Sequence, residues 1–196
     1  MSASIPFTTE TFRPLCIKGN DTTDAPTEFD LCAVGGPGRA RLKSIIVATH
    51  GLAEGGAWTP DVQESVIKAF ETGAAVFAEG VTAVRNLTAP AVLCKKRGLI
   101  ADIPPGLDPT SQIPIKTGFE YSMICGFWPV LSYELALAVA RISAQSEIDP
   151  RFFDWLSTLL ESHTSPLGTV APVPKRRARS GIAGSRTRRA NAVPAT

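Results

Sequence analysis

His50 and His163 are the only two imidazoles in the chain. Any acid–base or nucleophilic chemistry that needs an imidazole must recruit one of them. His50 closes the apolar run IIVATHG and is followed by a loop carrying Gly55 and Gly56, while Ser122 sits in EYSMICG and Asp149 precedes His163. A serine activated by a histidine that a carboxylate orients performs acyl transfer, and main-chain N–H groups of a glycine loop stabilise the oxyanion. In chain order Ser122, Asp149 and His163 are the candidates for those three roles, with His50 beside the candidate oxyanion loop.

With IIVATHG read as one strand and AAVFAEG as a second, residues 44–80 resemble the oxyanion-loop region of α/β hydrolases. That resemblance implies an esterase-like enzyme. The family also holds its serine in G-x-S-x-G, because bulky neighbours clash on the strained turn. Here Glu120 and Ile124 stand where those glycines belong. The same letters also read as the end of one helix and the start of the next, which leaves His50 without a catalytic role.

Other chemistries fail on spacing. In GGPGRARLKS, Leu42 rather than glycine precedes Lys43, so a phosphate loop is not formed, and Arg41 occupies the third glycine position of a dinucleotide fingerprint. A turn entering a helix is the simpler reading. No zinc-protease or EF-hand pattern occurs, and the acidic residues are scattered, so no metal and no cofactor are expected. Cys16, Cys32, Cys94 and Cys125 form no C-x-x-C pair. With no basic, apolar leader in MSASIPFTTETF, they read as free, buried thiols of a cytoplasmic protein. No uncharged apolar run reaches the ~20 residues needed to span a bilayer.

Charge and aromatic clustering point to partners instead. Seven basic residues (Lys175, Arg176, Arg177, Arg179, Arg186, Arg188 and Arg189) fall within 175–196, which holds no acid; the preceding 174 residues hold 13 basic and 18 acidic residues, a net of −5. An Arg-rich segment neutralises phosphates in a salt-sensitive way, docks on an acidic protein surface, or remains solvated. Without aromatics it has no means of stacking on bases. In FFDW, the rings of Phe152, Phe153 and Trp155 fall within one helical turn, more than a single core stripe can bury. Those three are the candidate partner-binding residues.

The elements that must position these groups are mostly helical. FRPLCIK and TEFDLCAV, separated by the turn formers GNDTTDAPT, suggest a short hairpin within an extended segment 1–38. A helical domain over 39–163 follows. Leu42, Ile45, Ile46 and Thr49 share one helical face, and Gly51 stands where a C′ glycine would stop the helix. Thr59, Pro60 and Asp61 form a helix start, and the recurrence of Val62, Val66, Phe70, Ala74, Phe77, Val81, Val84 and Leu87 predicts a helix over 60–87. Gly73 and Gly80 within it mark close packing or a break. DIPPGLDPTSQIPIKTG reads as a connecting loop. Pro129 opens a helix with Leu131, Leu135, Val139 and Ile142 on one stripe, and Asp149-Pro150 opens another, PRFFDWLSTLLESH. The composition of 164–196 predicts a disordered basic tail. The fold class expected is therefore mainly α.

A short β-like segment ending in PTEFDLCAVGG, then helices poor in catalytic residues, then a tail, resembles the layout of the tail assembly chaperones of long-tailed bacteriophages over roughly residues 10–163. That resemblance implies a small, mostly helical protein of the infected cell's cytoplasm. It would bind the tape measure protein along its length and recruit tail tube subunits through its C-terminal region. The sequence thus favours a non-enzymatic assembly or interaction protein. A nucleic-acid-associated structural protein using the Arg-rich tail is the alternative, and a divergent α/β-hydrolase-like enzyme the third.

Overall fold

A computed structural model describes residues 9–146 and 150–163. Seven helices, a three-stranded and a two-stranded sheet make up these residues. The chain is mainly helical, as the apolar periodicity predicts. Among the described residues no helix is long and apolar enough to cross a membrane.

Strands β1 (Glu10–Phe12) and β2 (Glu28–Leu31) pair antiparallel as an N-terminal hairpin. The first strand lies earlier than FRPLCIK suggested. Pro14 lacks an N–H to give the ladder, and the strand ends before it. Asn20 holds the long connection together: its amide donates to the carbonyls of Pro14 and Thr27 and accepts from Thr27 N–H.

Helix α1 (Gly36–Ala53) buries Leu42, Ile45, Ile46 and Thr49, the four residues the 3.6-residue period selects. Ser44–Ala48 is thus helix, not strand. The stop at Gly51 is corrected. The helix runs one turn further, and Gly55 takes the left-handed conformation at φ 81°. Gly55 N–H donates to Leu52 O and Gly56 N–H to Gly51 O, the paired bonds of a Schellman ending. Gly51 is the residue whose carbonyl the cap satisfies.

Helix α2 (Pro60–Gly73) starts as read, with the Thr59 hydroxyl accepting from Val62 N–H. The continuous helix over 60–87 is corrected. It ends at Gly73, is followed by the short α3 (Ala75–Gly80), and gives way to strands β3 (Val81–Arg85) and β4 (Leu87–Pro90). β3 pairs with β2, Val84 opposite Phe29 and Val81 opposite Leu31. Val81 and Val84 are three apart yet both buried, because a bulge leaves Thr82 as the extra residue between two paired positions. A bulged strand thus imitates helical spacing. Both glycine readings hold at Gly73: it breaks the helix, and a Cβ there would press on Ile45 at 3.1 Å.

The loop over 102–118 is also corrected in its second half. β5 (Gln112–Ile115) pairs with β4, and α4 (Ala91–Lys96) lies between them in sequence. Both strands contain proline, tolerable because every strand of a two-stranded sheet is an edge. Helix α5 (Gly118–Ile124) opens with a full capping box: Thr117 Oγ1 accepts from Glu120 N–H and Glu120 accepts from Thr117 N–H. A methyl group on Gly118 would sit inside the contact radius of the carbonyl oxygens of Phe77 and Val81, so only glycine lets α5 lie against α3. A 3₁₀ turn, Cys125–Phe127, links α5 to α6 (Pro129–Ser146), and α7 (Pro150–His163) follows.

One core joins the sheet to the helices, including Phe29, Leu31, Ile45, Phe77, Leu135 and Val139. Tyr121 is fully buried at its centre, edge-on to Phe29 at 5.5 Å and to Phe77 at 5.3 Å. Its hydroxyl donates to Ser132 Oγ at 2.8 Å, which in turn donates to Cys125 O at 2.9 Å. That relay ties α5, the 3₁₀ turn and α6 to each other.

Candidate functional site

The residues that would make an acyl-transfer site are spread over helices. Both stretches read as hydrolase strands, IIVATHG and AAVFAEG, fall in α1 and α3. His50 lies on α1 with its ring stacked on Tyr133 of α6, 5.9 Å between centroids, and Tyr133 OH 3.3 Å from Nδ1. Its Nε2 is 3.8 Å from Glu54, one turn along. Burial, then the charge of Glu54, pushes the Tyr133 hydroxyl pKa up. Ser122 is on α5, where its hydroxyl donates to Phe119 O at 2.7 Å, as a helical serine bonding to its own backbone does. Asp149 lies outside the described residues, as does the side chain of His163 at the end of α7.

All four cysteines are free. Cys32, Cys94 and Cys125 are buried as read, but Cys16 is an exposed residue, a correction to the expectation of buried thiols. Its thiol is still held protonated. The residue's exposure does not extend to the whole thiol: its partial desolvation first, then the neighbouring charge of Glu134, raises its pKa to about 12, and the same Glu134 accepts from Leu15 N–H at 2.8 Å. Burial likewise raises Cys125 to about 12. Among the described residues there is no group of three His, Cys, Asp or Glu side chains able to hold a metal.

The FFDW cluster divides. Phe152 is 8% exposed and belongs to the core, with the Arg39 guanidinium 5.6 Å over its ring. Trp155 is half-buried beneath Lys43, whose ammonium is 5.0 Å from the ring centroid. Only Phe153, 55% exposed, stands mostly in solvent. The basic residues Lys175, Arg176, Arg177, Arg179, Arg186, Arg188 and Arg189 lie outside the described residues.

The feature that sequence reasoning missed is an open apolar groove of about 430 Å³ between α2, α5 and the 3₁₀ turn. Val66 and Phe70 of α2 are its buried floor, Met123 and Cys125 form the opposite wall, and Trp58, Ile67 and Phe127 rim it. The rim residues are 49%, 49% and 45% exposed, far more than core positions of such size tolerate. Phe127 is also shared with a second hollow of about 540 Å³, lined by Ile17, Leu87, Trp128, Val130 and Leu131. The Arg97 guanidinium lies 4.9 Å over the Phe127 ring, a cation–π contact that steadies the aromatic in an exposed position. Cys125 Sγ donates to Ser122 O, and Trp128 N–H to Cys125 O, so the turn carrying Phe127 is pinned from below.

The signal for this groove is present in the sequence. Ile67 falls off the stripe of Val66, Ala69, Phe70 and Gly73 that α2 buries, and Trp58 sits just before the Thr59 cap, outside any periodic face. Both are large apolar residues with no core position to fill. Phe127 could not be found this way, because the 3₁₀ turn has no period to depart from.

A polar face lies on the three-stranded sheet. Arg85 holds Asp30 through both carboxylate oxygens at 2.6 Å, and reaches Glu28 at 3.1 Å, which Arg13 also contacts at 2.7 Å. These hydrogen bonds lower the pKa of Glu28 and Asp30. The network is internally paired and exposed, as expected of a solvated sheet face.

No protein-family model matches the chain, and no curated protein or solved structure compared with it matches either.

Proposed function

We propose that this is a non-enzymatic interaction protein that holds a protein partner in the groove between α2, α5 and the 3₁₀ turn. The single observation that carries the reading is the groove's rim: three large apolar side chains, Trp58, Ile67 and Phe127, held about half in solvent over a buried apolar floor. Exposing them has a hydrophobic cost of roughly 1–3 kcal/mol per side chain, which a partner would recover. Gln63, Glu71, Arg97 and Ser122 add polar side chains to this lining. Within this reading the protein acts as an assembly chaperone like those of bacteriophage tails, in the cytoplasm of the infected cell. It shields an apolar, helical client, the tape measure protein, until tail tube subunits take over.

Co-expression tests this. A client that aggregates alone stays soluble with the full-length chain, and stays soluble with a chain truncated before Lys175. Solubility is lost when Trp58 and Phe127 are both replaced by Ala. A groove variant that protects the client as well as the parent would overturn the reading.

The seven positive charges in 175–196 favour a second reading, a nucleic-acid-associated protein. It requires an affinity for duplex DNA that falls steeply with salt and disappears on deletion of 175–196.

A further inference from the structure

The second hollow lies along a strand edge that its sheet leaves open. β4 pairs with β5 alone. The register sets Thr88 opposite Pro114 and Pro90 opposite Gln112, and neither proline has an N–H. In an antiparallel ladder alternate residue pairs exchange two main-chain bonds. Here the exchanging pairs must be Leu87 with Ile115 and Ala89 with Ile113. The same alternation continues past the strand, where Ala91 N–H donates to Ser111 O at 2.8 Å. The N–H and C=O of Thr88 therefore point away from β5.

No strand among the described residues meets them there. β3 and β4 follow one another with Asn86 between them. The end of β5 lies on one side, where Val84 N–H donates to Lys116 O, and β2 lies on the other. β2 begins at Glu28, opposite Arg85, and just before it the Thr27 hydroxyl donates to Asn86 O. Pairing on that side thus stops short of β4. The Thr88 hydroxyl is spent on Gln112 at 3.1 Å. Beside this edge, Leu87 and Thr88 line the hollow with Ile17, Trp128, Val130 and Leu131. An open strand edge beside an apolar seat is a template for another extended chain.

We propose that this edge takes an extended segment of another protein as an added strand, one residue of which exchanges two main-chain hydrogen bonds with Thr88. Sheet alternation dictates the rest. The residue paired with Thr88 shares its exposed face. The residues on either side of it share the buried face of Leu87 and Ala89, so their side chains enter the hollow and are apolar. The segment therefore carries apolar residues at i and i+2 around a β-branched one. Pro90 has no N–H to offer on this edge, so the exchange is confined to Thr88 and the two apolar side chains supply the remaining contact. The β4 edge of a second copy fits less well, because it brings its own Ile17 and Val130 walls with it. The inference goes beyond the groove reading and does not depend on it.

The test begins with amide exchange of the full-length chain by NMR. The Thr88 N–H should exchange at least about tenfold faster than those of Leu87 and Ala89, which β5 holds. The full-length chain then serves as bait for a displayed library of linear heptapeptides. Enriched peptides are expected to share apolar residues at i and i+2, and the best of them should slow the Thr88 amide on binding. N-methylation of its central residue, the one between the two apolar positions, should weaken binding at least about tenfold, and N-methylation one residue to either side far less, since those N–H groups point away from β4. Val130→Glu should weaken binding by a similar factor. An acid in the first turn of α6 suits the helix dipole, so circular dichroism of that variant should match the parent.

Slow exchange of Thr88 in the free chain would overturn the inference, because the edge would then already be taken by this chain or by a second copy. So would a library that selects nothing, or one that selects apolar residues spaced i, i+3 or i, i+4, the mark of a helix. N-methyl effects without alternation would overturn it too, since they would leave an apolar seat with no added strand.

Discussion

The relay from Tyr121 through Ser132 to Cys125 holds the turn that carries Phe127, and it makes an asymmetric stability prediction. Replacing Tyr121 by Phe removes a donor and leaves its ring in the same aromatic cage. Ser132 still donates to Cys125 O, so the loss is one neutral hydrogen bond, about 1 kcal/mol. Ser132→Ala is worse. It strands the Tyr121 hydroxyl in a site the side chain shares with no solvent, at about 1–3 kcal/mol, and removes one of the two bonds to Cys125 O, the other coming from Trp128 N–H. The expected total is about 2–4 kcal/mol. In the double variant the stranded hydroxyl is gone, so it should be no less stable than Ser132→Ala alone. Urea unfolding of the four chains gives the cycle directly. Equal effects of the two single changes, or strict additivity in the double, would refute the relay.

Other consequences follow from packing and charge. Gly118→Ala forces a methyl against two carbonyl oxygens between α3 and α5, and should cost about 1–3 kcal/mol or more in thermal or urea unfolding; a neutral result would mean the elements do not approach so closely. The native thiols should react with a disulfide reagent at pH 8 at least about tenfold more slowly than the unfolded chain, including the exposed Cys16, because only the thiolate attacks. Glu134→Gln should speed Cys16 selectively, since it removes the second cause of that shift. Glu28 and Asp30 have folded pKa values below their ordinary 4.5 and 3.8, so their contribution is present above those values and lost as pH falls through the lower folded ones. Arg85→Gln should therefore flatten the acid loss of stability in that window while changing its salt dependence; an unchanged acid profile would remove the network from the stability of the sheet.

Much of the fold was legible where apolar residues recur with a helix period and a cap bounds them. Leu42–Thr49 in α1, Thr59-Pro60 before α2 and Leu131–Ile142 in α6 follow from spacing and capping chemistry alone. The misread stretch, Val81 to Leu87, failed because a bulge at Thr82 put valines three apart on one face of a strand, a pattern that periodicity assigns to a helix. Only the pairing with Phe29 and Leu31, some fifty positions earlier in the chain, distinguishes the two. Gly51 was a plausible stop until Gly55, four residues on, is seen to take the positive φ. The capping box at Thr117 and Glu120 was readable as T-x-x-E and announces α5 in a stretch otherwise rich in proline. The candidate site was less legible. FFDW drew attention by its density of rings, yet Phe152 is core, whereas the groove's rim is built from Trp58, Ile67 and Phe127, three apolar residues far apart in sequence that only the tertiary fold places around one hollow.

The most direct measurement is hydrogen–deuterium exchange of the full-length chain with and without a saturating amount of a client that it keeps soluble in co-expression. The groove reading predicts added protection in α2 and in residues 122–128, with little change around His50 and Tyr133 or on the sheet face of Glu28, Asp30 and Arg85. Protection centred on those latter regions, or none in α2, would contradict it.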